Sequence, residues 1–186
     1  MAAGAGALAL GVLLVVLIGR ESRAAAPPAD IGPAGVGSEG TPPDISAMSP
    51  RERFDRLYNR VMRAAESGDE ATAAQFTPMA LLAYSQLGAT DPDARFHVAM
   101  LLMHTGQTSA AAAVADSVRR ETPKHLFGFL LQGTLARWSK DSVALAKAYR
   151  GFLARYDVEL ATDKPEYKEH QRGLTEFRSA ALAAKR

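Results

Sequence analysis

From Ser49 onward, apolar residues recur three and four positions apart in successive runs, the spacing of helices that each bury one face. The first run, SPRERFDRLYNRVMRAAESGD, places Phe54, Leu57, Tyr58, Val61 and Ala65 on one side, with Ser49 as N-cap, Pro50 at the first helical position and Gly68 as the stop. Asp69 is suited to cap a second helix carrying Ala73, Phe76, Ala80 and Tyr84, in which Pro78 removes a backbone donor and predicts a kink or break. A third helix opens at Asp91-Pro92 and closes near Gly106, and a fourth, TSAAAAVADSVRRET, has an inner stripe of Ala110, Ala111, Val114, Ala115 and Val118. Pro123 opens a fifth, PKHLFGFLLQGTLARW. Asp141 or Ser142 caps a sixth with Leu145, Ala148, Tyr149, Phe152 and Tyr156 on its apolar face. One last amphipathic helix starts near 163–166, with Tyr167, His170, Leu174, Phe177 and Ala181 on one side.

Before Ser49 the pattern changes character. Residues 2–19, AAGAGALALGVLLVVLIG, carry no charged or strongly polar side chain, and a membrane-spanning helix needs about 17–25 such residues. The competing reading is a cleaved signal peptide. It has the small residues at 24–26 in its favour, with Pro27 and the missing basic flank against it. Residues 21–48 are rich in Pro, Gly and Ala and read as a linker without regular structure, with a reach of roughly 25–30 Å. The expected organisation is therefore a membrane anchor over 1–20, a linker over 21–48 and a helical domain over 49–186. Arg20 and Arg23 after the span place the domain in the cytoplasm by the positive-inside rule, whereas basic residues upstream of Met1 would place it outside. The side of the membrane stays open.

Composition narrows the chemistry. Hydrophobic residues make up 47% of the 186 but aromatics only 7%, and alanine makes up the difference, which favours closely approaching helices. The formal net charge of +2 comes from interspersed signs, so no nucleic-acid footprint is expected. The absence of cysteine excludes disulfides, thiolate metal sites and a cysteine nucleophile.

Gly106 and Lys140 stand in equivalent turns 34 residues apart, and Asp91-Pro92 and Thr122-Pro123 at equivalent helix starts 31 apart. In residues 92–123, Val98, Ala99 and Leu102 are followed by Ala111, Ala115 and the closing Pro123. On these positions the chain resembles the tetratricopeptide-repeat family, whose unit is about 34 residues. A second unit has Gly133 at the small site and Ala144 and Tyr149 in its second helix, with Asp157 where a proline is usual. A first unit, 51–91, is longer and contains Pro78. The resemblance implies an all-α fold, a short array of antiparallel helix hairpins with a carboxyl-terminal capping helix. It also implies a concave groove for a peptide or partner helix. Carried onto this chain, the groove is lined by Phe96, Met100, Met103 and His104, then by Phe127, Leu130, Thr134, Arg137 and Trp138. Methionine and aromatic side chains adapt to peptides, and Arg137 offers a cation to a carboxylate.

Other chemistry finds less support. His97, Met100 and His104 share one side of a helix and His125 is a further candidate nearby, but no metal or haem signature accompanies them, and no metal or cofactor is expected. No nucleophile elbow or paired-carboxylate constellation argues for an enzyme or a small-molecule substrate. The sequence thus points to a membrane-tethered adaptor or assembly scaffold at the cell envelope that binds a protein partner. The alternatives are a structural accessory subunit of a membrane complex and a metal- or haem-handling protein.

Overall fold

A computed structural model describes residues 48–185. The anchor over 1–20 and nearly all of the linker over 21–48 lie outside the described residues. Among those residues all regular structure is helical: α1 (Pro50–Ser67), α2 (Glu70–Ser85), α3 (Pro92–His104), α4 (Thr108–Glu121), α5 (Leu126–Trp138), α6 (Ser142–Leu160), α7 (Pro165–Glu169) and α8 (Gln171–Ala183). No helix among them is long and apolar enough to cross a membrane.

Local chemistry sets most boundaries. Ser49 and Glu52 form a capping box ahead of α1, and Gly68, at φ 76°, adopts the left-handed conformation that ends it. Asp69, Asp91 and Asp141 each accept a backbone N–H from the first turn of α2, α3 and α6. Helix α2 runs unbroken through Pro78. The carbonyl that loses its donor belongs to Ala74, and both residues are on the solvent side, where water can take the donor's place.

Two boundaries depart from the periodic pattern. Helix α5 begins at Leu126, three residues after Pro123, because His125 is extended and its Nδ1 accepts the Phe127 N–H, capping the helix there. The expected final helix is two helices, α7 and α8, meeting at His170, whose backbone (φ −103°, ψ 17°) leaves the helical path.

Each helix packs on its neighbour, α1 on α2, α3 on α4, α4 on α5 and α5 on α6, while α3 also touches α1 and α5. Helix α8 folds back onto α6 and α5. Ala111, Ala115 and Val118 are fully buried where α4 meets α3 and α5, whereas Ala110 is exposed and outside that stripe. Only small side chains fit a helix pressed from two sides. We expect Ala115→Leu to overpack this seam at a cost of about 1–3 kcal/mol, read from the urea midpoint. An unchanged midpoint would mean that the seam has room.

Candidate functional site

The groove positions inferred from the sequence cluster only in part. Phe96, Met100, Met103, Phe127, Leu130 and Thr134 are buried, His104 and Arg137 are half-buried, and Trp138 is exposed. What lies over six of them, Met103, His104 and Trp138 apart, is the chain's own carboxyl-terminal segment. Phe96, Met100, Leu130, Thr134 and Arg137 face Gly173, Glu176, Phe177 and Ala180 of α8 across a residual cavity of about 60 Å³, far too small for a peptide. Phe127 stacks on Phe96 at 4.6 Å and meets Tyr167 and His170 edge-on at 5.7 and 5.2 Å. Arg137 donates to the Tyr149 hydroxyl (3.0 Å) rather than to a carboxylate. Trp138 and His104 pair edge-to-face at 6.3 Å, and Trp138 also lines a separate depression with Ala112, Leu135 and Lys147.

Gly133 lets α8 come this close. A Cβ at Gly133 would stand 2.3 Å from Phe177 Cζ and 2.6 Å from Cε2. Phe177 has nowhere to go, being packed edge-on against Tyr149 and Phe152 at 4.9 and 4.8 Å. Gly133→Ala should therefore cost about 1–3 kcal/mol despite alanine's better helix propensity. Gly128→Ala meets the flexible Arg119 side chain, which can swing aside, and Val118 Cγ1 at an ordinary 3.4 Å, and should cost clearly less than Gly133→Ala. Equal losses in chemical denaturation would count against this account of α8 seating.

Two polar clusters pin the segment. In the first, the Tyr167 hydroxyl accepts the Leu126 N–H (3.1 Å) and donates to Glu159 Oε2 (2.9 Å), which also takes Lys164 Nζ at 2.9 Å. His125 Nε2 lies 3.2 Å from Glu166 Oε1. Burial lowers the basicity of His125 despite Glu166, and a neutral imidazole suits an Nδ1 that accepts a backbone N–H. Burial acts to raise the Glu159 carboxyl, but hydrogen bonds from Lys164 and Tyr167 outweigh it and hold it below the usual range.

The second cluster joins α1, α3 and the α7–α8 junction. The Nε2 atoms of His97 and His170 stand 3.2 Å apart, and Asp93 Oδ1 is 3.0 Å from His170 Nε2 and 3.7 Å from His97 Nε2. Asp93 and His97 are four residues apart on α3 and so share a face. Arg51 holds the other oxygen of Asp93, and also binds Asp55 at 2.7 Å and Asp91 at 2.8 Å. The Tyr58 ring stacks on His97 at 4.1 Å. Burial would raise the Asp93 carboxyl, but the hydrogen bond with His170 and the nearby His97 and Arg51 outweigh it and keep it below its ordinary value. The cluster opens on a cleft of about 650 Å³ lined also by Asn59, Arg63, Glu66 and Glu169, a volume in the range of small-ligand sites. These atoms offer two imidazole nitrogens and a carboxylate oxygen, the donor types of a transition-metal ion.

Sequence reasoning grouped His97 with Met100 and His104, whereas the structure groups it with Asp93 and His170. The spacing of Asp93 and His97 was a usable signal. Nothing local marks His170, which lies 73 residues beyond His97. Comparison with protein-family models, curated proteins and solved structures finds no match to this chain.

Proposed function

We propose that this protein is a membrane-tethered helical-hairpin module of tetratricopeptide-like architecture, an adaptor or assembly scaffold whose α3–α5 face takes a helix. The observation that carries the reading is the seating of α8. Five of the residues assigned to a peptide groove, Phe96, Met100, Leu130, Thr134 and Arg137, face a helix across a small cavity, and that helix is the protein's own. In this reading α8 is an exchangeable occupant and a partner helix displaces it. Amphipathic helices dock into such grooves through residues spaced like Leu174, Phe177 and Ala181, the buried face of α8. The apolar run at 2–19 supports tethering, and the linker leaves the domain free to meet a partner near the bilayer.

A structural accessory subunit is the second reading, favoured if the contacts of α8 never open. Crosslinking in intact membranes, mild-detergent purification and mass spectrometry separate the two. Wild type, Phe177→Ala and the double variant Arg137→Ala, Trp138→Ala are compared. The adaptor reading expects defined partners in wild type, more of them when α8 is loosened by Phe177→Ala, and their loss in the double variant. The same partners at fixed stoichiometry in all three would overturn it in favour of the structural subunit.

A further inference from the structure

We propose that Asp93, His97 and His170 bind one divalent transition-metal ion of the zinc class. The three atoms that face one another form a triangle with sides of 3.2, 3.0 and 3.7 Å. Its circumscribed radius is about 1.9 Å, while zinc stands about 2.0–2.2 Å from imidazole nitrogen and carboxylate oxygen. An ion about 0.7 Å above the plane reaches all three at such distances, and ligands of a tetrahedral ion are themselves about 3.4 Å apart. The side chains already hold the shape of three corners of that coordination shell.

The surroundings prepare two of the three donors, His97 and Asp93. Asp55 Oδ1 lies 3.5 Å from His97 Nδ1, outside hydrogen-bond geometry, and both buried atoms are otherwise without a partner, so a small shift would join them. A carboxylate behind Nδ1 favours the proton there and leaves the lone pair of Nε2 for the cluster, the carboxylate–histidine arrangement found behind metal ligands. Arg51 engages the far oxygen of Asp93 and leaves Oδ1 to the histidines. Tyr58 fixes the plane of the His97 ring.

Two imidazoles with one carboxylate suit zinc, cobalt(II) or nickel(II) better than the all-oxygen ions calcium and magnesium, and the three donors include no thiolate or thioether to favour copper(I). Three protein ligands beside a cleft leave a fourth position for water or an exchangeable ligand, unlike the closed shell of a purely structural zinc. Because His170 joins α7 to α8, the ion also fastens the segment that covers α3 and α5. The competing account of the same distances is a single proton on His170 Nε2, shared with Asp93 and His97.

The test uses the full chain, purified in mild detergent, stripped with a chelator and dialysed. It is titrated with cobalt(II) alone and with zinc alone. The expected result is one equivalent bound, visible d–d bands of four-coordinate cobalt, and a Tm raised by zinc but not by the same concentration of magnesium. His170→Gln should bind at least about tenfold more weakly. X-ray absorption of the zinc-loaded wild type should find two imidazoles per ion, a readout that stands even if the variant does not fold. No uptake by stripped wild type, fewer than two imidazoles, or undiminished binding by a folded His170→Gln protein would overturn the proposal and leave the shared proton.

Discussion

Replacing Phe127 with alanine is expected to destabilise the protein by about 3–5 kcal/mol, the usual range for deleting a buried aromatic ring. Phe127 is fully buried, and its ring is the meeting point of α3 and the carboxyl-terminal segment. It stacks on Phe96 and takes Tyr167 and His170 against its faces and edges. The cavity left by alanine would be walled by several helices, so no single side chain can relax into it. Urea unfolding followed by circular dichroism gives the number. The control is Val143→Ala, at a position 78% exposed, where a change beyond about 0.5 kcal/mol is not expected. A loss below about 1 kcal/mol at Phe127 would mean that the segment does not depend on this contact.

The second large effect is expected at Tyr167. Removing its hydroxyl with Tyr167→Phe leaves the Leu126 N–H without its acceptor and takes one of the two donors from the buried Glu159 carboxylate. The ring and its packing stay, so the cost isolates the polar contacts, about 2–3 kcal/mol for an orphaned donor together with a bond to a charged group. The change also carries a pH signature. Glu159 is held below its ordinary value in the folded protein, so the stability that it contributes is present above its unfolded value and is lost as pH falls through the folded one. His125 acts in the same direction. Its folded basicity is lowered, so the unfolded state binds the extra proton as pH drops below its ordinary value. Wild type should therefore weaken in mild acid, and Tyr167→Phe should show a shallower loss on the carboxylate limb. Equal pH slopes for the two proteins would mean that the hydroxyl does not hold Glu159.

The sequence was most legible where a signal acts within a few residues. The caps at Ser49, Asp69, Asp91 and Asp141, the last being one of two candidates, and the stop at Gly68 depend on hydrogen bonds and backbone angles inside one turn, and these starts and this stop stand where they were expected. Periodicity was less informative for α3 and α5, which are buried on almost every side. A helix that is apolar all round does not reveal which neighbour each face will meet. Phe96 and Leu130 could thus be placed on a groove-lining face, but not beneath α8.

The break at His170 and the delayed start at Leu126 show the other limit. His170 meets Asp93, 77 residues away, and the start at Leu126 combines the local His125 cap with a Tyr167 hydroxyl 41 residues on that accepts the first N–H of α5. No local propensity distinguishes a histidine that caps or bridges from one that faces water. The sequence alone determined an all-helical domain, its capped starts and the small-residue seam of α4, because those follow from hydrogen bonds and side-chain volumes acting at short range. Only the tertiary structure decided that α8 packs on α6 and α5 beside Phe96 and Met100, and that Asp93, His97 and His170 converge. The Asp93–His170 pair alone joins groups 77 residues apart, and such geometry exists only once the intervening helices have packed.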